Sequence, residues 1–247
     1  MHSEIPPLTI LGAGYVGRAL LQRFPAAVAT RRTPAPDSVL LAFDLQDRDT
    51  WRKPPLAGRA VVWTFPAAPL AAVQAFYGTH LKAAANLITL GSTSAYLVPE
   101  SAESPLVTVT EQTPLDMSQP RVQGEEWLRQ QGATVLQLAG IFGPGREPAD
   151  WLKRGLIKDG ARLVNLIHVY DIVAAITHLL AHPRPGERFN LADGEPLPWR
   201  ALAARFRKDG RLPANFVLAE CVPHAHGKRV DNGRLRALLP GHAFITP

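Results

Sequence analysis

A chain of 247 residues that is 46% hydrophobic and 19% charged can bury one large α/β core without disulfides or metal staples, and its single cysteine, Cys221, excludes an internal disulfide or a cysteine zinc cluster. No apolar run approaches the roughly 18 residues of a membrane span, and the start, MHSEIPPLTIL, has no basic flank ahead of a long apolar stretch, so a cytoplasmic protein without a signal peptide is expected. The formal net charge of +6 admits an anionic ligand, but the basic residues lie scattered in short groups without interleaved aromatics, which disfavours nucleic acid as a partner.

Taken in order, LTIL (8–11) reads as a strand and VGRALLQRF (16–24) as a helix, followed by strands at AAVAT (26–30), VLLAFDL (39–45) and AVVWTF (60–65). An Ala-rich helix is expected from Pro69 to Ala84 and another strand at NLITLGS (86–92). These runs are apolar throughout instead of alternating, which suits parallel strands covered on both faces. The stretch from Leu97 to Gln119, rich in Ser, Thr, Pro and acidic residues, reads as a long loop. A helix over Pro120–Gln131 and a strand at ATVLQLA (133–139) follow, and the Gly and Pro density of IFGPGREPAD (141–150) marks a turn. Beyond it the expected elements are a helix at 150–157, a strand near LVNLIH, a helix over Val169–Ala181, a strand RFNLAD and a helix from Pro198. The predicted architecture is α/β: a Rossmann-type doubly wound parallel sheet with a small C-terminal α/β lobe, one domain over 1–247 in which 141–247 builds most of the lobe.

GAGYVG, between the first strand and the first helix, fits G-x-G-x-x-G. Gly12 permits the tight turn, Gly14 lets backbone approach a pyrophosphate, and Gly17 lets the helix sit close to the strand. The helix start then offers unpaired N–H groups and a positive dipole to phosphates, so Tyr15 and Val16 join the glycines as candidate cofactor-binding residues. After the second strand, where NAD enzymes place an acid for the ribose 2′-OH, the chain reads ATRRTP. Arg31 and Arg32 supply guanidinium groups suited to a 2′-phosphate, which favours NADP over NAD. Asp44 in FDLQD stands where a side chain reaches the adenine amino group, and Phe65 closes the list of candidate cofactor contacts.

The succession LGAGYVGRAL, FDLQD, ITLGSTSAYL, VTEQTP, LAGIFGPGR, NLIHVYDIVAAI and RFNLADGEP resembles the extended short-chain dehydrogenase/reductase family, the NAD(P)-dependent epimerase/dehydratase group, along nearly the whole chain. The resemblance implies NAD(P) on the sheet, a nucleotide-sugar-like or other small-molecule substrate in the C-terminal lobe, and a Ser or Thr acting with a Tyr-x-x-x-Lys pair. The pair is absent: the residues four places after Tyr15, Tyr77, Tyr96 and Tyr170 are Ala19, Leu81, Glu100 and Ala174. Aligning PLDMSQPRVQGEEWL with the family's catalytic helix puts Met117 at the tyrosine and Arg121 at the lysine. Methionine has no proton to give, and arginine keeps its charge but cannot replace a phenol. An atypical branch of the family, with an Arg-rich segment in place of the pair, is similar in this respect.

Ser92 stands where the family's catalytic Ser or Thr lies; it either bonds a substrate oxygen or satisfies a strand-end turn. With Tyr96, which could aim a phenol at the same mouth, and Arg121, it makes up the candidate catalytic set. Asp171 near a helix start suits backbone capping better than catalysis. His178 with His182, and His224 with His226, lack a third ligand, so no metal is expected. Two function classes remain open: an NADP-dependent enzyme of the epimerase, dehydratase or reductase type, and a non-catalytic NAD(P)-binding sensor or regulatory protein. A homodimer is compatible with either.

Overall fold

The computed structural model of the protein describes residues 6–98, 106–219 and 224–247; Cys221, Glu100 and positions 99–105 of the expected loop lie outside them. The first half of the chain runs β1 (Leu8–Leu11), α1 (Tyr15–Arg23), β2 (Val28–Arg31), β3 (Leu41–Ala42), β4 (Ala60–Trp63), α2 (Leu70–Phe76), β5 (Asn86–Ser92), β6 (Val107–Val109) and α3 (Pro120–Gln130). The second half continues with β7 (Thr134–Leu138), β8 (Gly140–Phe142), α4 (Pro148–Lys153), β9 (Leu163–Val164), β10 (Leu166–His168), α5 (Val169–Ala181), β11 (Arg188–Leu191), β12 (Leu197–Pro198), α6 (Trp199–Lys208), β13 (Lys228–Val230) and α7 (Gly233–Leu238).

Seven of these strands form one parallel sheet in the order β11-β7-β5-β4-β1-β2-β3. Every residue of β1, β4 and β7 is buried, as strands covered on both faces require. Leu11 pairs with Trp63 and Trp63 with Thr89, while Arg31 pairs with Ala42. This register sets the carboxyl ends of β1, β2, β4 and β5 along one edge, the edge at which open α/β sheets bind ligands. A core of Leu11, Phe43, Trp51, Val61, Trp63, Phe76 and Leu128 fills one side of the sheet.

The chain divides into two compact units, one of residues 1–95, 115–137 and 172–189, the other of residues 96–114, 138–171 and 190–247. The first carries most of the sheet. The second is built from three short strand pairs, β8 with β10 and β6 with β13 in parallel, β9 with β12 antiparallel, and has its own core around Phe142, Leu152, Leu166, Trp199 and Phe206.

Several element expectations need correction. The strand expected over 39–45 pairs only at Leu41–Ala42, because Asp44 Oδ1 accepts the Gln46 N–H and Thr50 Oγ1 donates to the Asp44 carbonyl, bending the chain away. The helix expected to Ala84 is regular only to Phe76 and then widens into a π-helical turn, Tyr77–Leu81, where Thr79 Oγ1 donates to the Ala75 carbonyl. The expected loop after Leu97 contains β6, and the expected turn after Ile141 contains part of β8 and the start of α4. That helix ends at Lys153, shortly before Gly155 at φ +63°. The elements β13 and α7 have no counterpart in the sequence reading.

Candidate functional site

The glycine loop leaves β1 and enters α1 with each glycine in a different situation. Gly12 has φ +102°, and a Cβ there would lie 2.6 Å from Thr64 Oγ1, which itself donates to the Gly12 carbonyl at 2.6 Å. A Cβ on Gly17 would lie 2.1 Å from Gly12 O, so helix and loop touch backbone to side-chain-free backbone. At Gly14 nothing stands within 4 Å of the Cβ position. The loop is braced from β2: Gly12 N donates to Thr30 Oγ1 at 3.0 Å and Ala13 N to the Thr30 carbonyl at 2.6 Å. Val16 is buried, so it and Tyr15 contribute the backbone of the first helical turn, whose N–H groups have no intrahelical partner by construction.

A cavity of about 380 Å³ opens over this loop, lined by Gly12, Gly14, Arg18, Arg31, Arg32, Asp44, Gln46, Phe65 and neighbouring residues. Three arginines and one acidic residue are thus among the lining residues, a balance that favours an anionic ligand. Arg32 Nε lies 3.3 Å from Asp44 Oδ2, with the arginine side chain 79% exposed. Phe65 also lines the cavity, its ring 6.0 and 5.0 Å, centroid to centroid, from those of Phe43 and Trp63. Arg18 was not nominated from the sequence, although its place one helical turn after Gly14 aims it along the loop. The cavity suits a dinucleotide: an open cradle at Gly14, cations for phosphates and an aromatic wall.

At the end of β5 a second cluster forms within the same unit. Ser92 Oγ and Ser94 Oγ are 3.1 Å apart, and Arg121 Nη2 donates to Ser94 Oγ at 2.9 Å and to Gln119 Oε1 at 3.1 Å. Arg121 Nη1 also donates to Glu125 Oε1 at 3.2 Å. Ser92 and Arg121 are therefore joined through Ser94. Glu125 and its partner Gln137 were missed; both are buried, and burial holds the Glu125 carboxyl up at about 7 against the pull of Arg121. Met117, with 47% of its surface exposed, lies just ahead of α3.

Tyr96 belongs to the second unit. It is buried, and its hydroxyl donates to Asn190 Oδ1, so the phenol is engaged inside the protein. Asn190 is itself fixed by Glu111 Oε1, which accepts its backbone N–H at 2.9 Å. Asp171 is buried as well, but its carboxylate receives His242 Nε2 at 2.7 Å and the Ile245 N–H at 3.0 Å, tying down the C-terminal segment. His178 and His182 pack ring against ring at 4.7 Å, and His226 Nε2 lies 2.6 Å from Asp159 Oδ2. Among the described residues no group of three or more His, Cys, Asp or Glu side chains could hold a metal ion, and no helix is long and apolar enough to cross a membrane.

No family model matches the chain. Over 115 residues it is 33% identical to Protein YeeZ of Escherichia coli (strain K12), a match that spans 45% of this chain and only 41% of that protein. Among solved structures, a protein from Methylobacillus flagellatus described as a putative NAD-dependent epimerase/dehydratase superposes with a TM-score of 0.71 at 23% identity, covering 95% of this chain and 92% of that one. MoeE5 in complex with UDP-glucose and NAD gives 0.72 at 17% identity, covering 98% and 94%. RMD from Pseudomonas aeruginosa, complexed with NADPH, gives 0.64 at 19% identity, covering 94% and 92%. Over nearly its full length, then, the chain shares the Rossmann-type fold of these solved structures.

Proposed function

We propose that this protein binds NADP in preference to NAD and acts on a nucleotide-sugar-like or other small molecule in the manner of the epimerase/dehydratase proteins it resembles in fold. The observation that supports the reading is the cavity over the glycine loop, whose lining includes Arg18, Arg31 and Arg32 and, as its acidic residue, Asp44. In this reading Gly12, Gly14, Tyr15 and Val16 present backbone to the pyrophosphate while Gly17 lets α1 sit close to the loop, Arg31 and Arg32 take the 2′-phosphate, Asp44 the adenine edge, and Phe65 packs against the cofactor. A bound nicotinamide dinucleotide supplies hydride transfer. The chain's own part falls to Ser92, which bonds a substrate oxygen, and Arg121, which steadies negative charge there without giving up a proton. Tyr96, buried and bonded to Asn190, is left a supporting part.

The engaged phenol of Tyr96 and the thioether of Met117 also favour a second reading, a non-catalytic NAD(P)-binding sensor. Titration of NADPH and NADH into the wild type and an Arg31→Ala, Arg32→Ala variant tests the cofactor preference. Charge-assisted bonds are worth about 1.5–3 kcal/mol each, and solvent around these exposed side chains trims that, so NADPH affinity is expected to fall about 10- to 100-fold with NADH affinity unchanged. Equal wild-type affinities for the two cofactors refute it. Turnover of the bound cofactor with UDP-sugars separates enzyme from sensor.

A further inference from the structure

Glu125 lies on α3 with 2% of its side chain exposed, yet it reaches the exposed cluster at the end of β5 through one guanidinium. Its Oε1 accepts from Arg121 Nη1 at 3.2 Å, and Arg121 Nη2 donates to Ser94 Oγ at 2.9 Å. On the inner side, Gln137 Nε2 on β7 donates to Glu125 Oε2 at 3.3 Å. Gln137 is 1% exposed, and its Oε1 finds no donor among the described residues. Gly91 on β5 makes room for both groups: a Cβ there would lie 2.5 Å from Glu125 Oε2 and 2.5 Å from Gln137 Oε1. A buried acceptor without a donor is costly, and a carboxylic O–H on Glu125 is the donor this cluster can supply.

We propose that Glu125 is a positioning residue with two states: ionised, it holds Arg121 against Ser94, and protonated, it turns an O–H to Gln137 Oε1 and lets the guanidinium go. One buried proton, taken from or returned to solvent, thereby assembles or releases the Ser92, Ser94 and Arg121 cluster. The charged groups facing Glu125 are Arg121 on its own helix and Arg188 on β11; β7 contributes the neutral Gln137 amide, and β5 the glycine. Burial outweighs both arginines and places the transition at about 7, so the ionised, assembled state prevails above that pH and the released state below it. The functional meaning of the switch rests on the reading of Ser92 and Arg121 as substrate-facing, but its test reads the side chains themselves, without cofactor or substrate.

The experiment is NMR on the full chain, following the Glu125 Cδ shift and the Arg121 Nη resonances from pH 5 to 9. The expected result is a Cδ midpoint near pH 7, with separate Nη signals above it that merge below it as rotation about Nε–Cζ is freed. In Glu125→Gln, with folding checked by circular dichroism, the Nη signals should stay merged at every pH. A wild-type Cδ midpoint below pH 5 overturns the proposal even if the variant fails to fold. So does an Nη profile in Glu125→Gln that titrates like the wild type. Loss of NADPH preference in the cofactor titration would sink the proposed function while leaving this result intact.

Discussion

Gly14 and Gly17 belong to one loop, yet substitutions at the two positions should fail in opposite ways. Nothing stands within 4 Å of a Cβ on Gly14, and its backbone, at φ −76° and ψ −155°, is extended and open to any residue. Valine at 14 should therefore leave the fold intact while its methyl groups enter the cradle over the loop. Charge-assisted bonds from backbone N–H to phosphate contribute about 1.5–3 kcal/mol each. Losing two of them costs about 3–6 kcal/mol, which is upward of 100-fold in NADPH affinity. At Gly17 the Cβ would lie 2.1 Å from Gly12 O and 3.1 Å from Gly12 C, contacts with backbone that no rotamer relieves. Alanine there must push α1 off β1, and overpacking of this kind costs about 1–3 kcal/mol, a drop of roughly 2–12 °C in Tm for a chain of this size. Thermal melting by circular dichroism and calorimetric titration of NADPH read the two effects separately. The reasoning is refuted if Gly14→Val binds NADPH as the wild type does, or if Gly17→Ala melts with it.

Three further outcomes are expected. Tyr96→Phe removes the donor to Asn190 Oδ1 inside the second unit and should cost about 1–3 kcal/mol in a denaturant titration with NADPH affinity unchanged; a variant as stable as the wild type would contradict the bond. Burial raises the Asp193 carboxyl from 3.8 to about 6, so the native state binds that proton more tightly than the unfolded chain, and this group's contribution to stability grows as pH falls from about 6 toward 4. Asp193→Asn should then be more stable than the wild type at pH 7.5, by up to about 3 kcal/mol, with the advantage vanishing near pH 4; an advantage independent of pH would mean that the carboxyl is not held up. Installing Tyr at 117 and Lys at 121 supplies the general acid that the chain lacks, worth about 10² to 10⁴-fold, and NADPH oxidation with a carbonyl panel should rise above the wild-type rate, whereas a flat trace would reject the alignment of α3.

The glycine loop and the sheet around it were legible in the sequence because their causes are local. A four-residue apolar strand, a turn that needs positive φ at Gly12, and a helix that needs no side chain at Gly17 all lie within LTILGAGYVG, and the uninterrupted apolar runs announced a parallel sheet by themselves. The pairing of Arg31 with Ala42 and of Leu11 with Trp63 then follows from ordinary right-handed connections. What the sequence did not disclose depends on partners far along the chain. Val107–Val109 reads as loop because the strand it pairs with is Lys228–Val230, and no local pattern in either announces the other. Nothing in the sequence around Glu125 marks it as buried, and the packing of α3 against β5 and β7 places it beside Gln137 and Gly91. Tyr96 looked like a phenol at the mouth of the sheet until the second unit claimed its hydroxyl for Asn190. Backbone conformation is decided by neighbours in sequence, whereas the burial of a charge and the choice of its hydrogen-bond partner are decided by neighbours in space, and those exist only once the chain has folded.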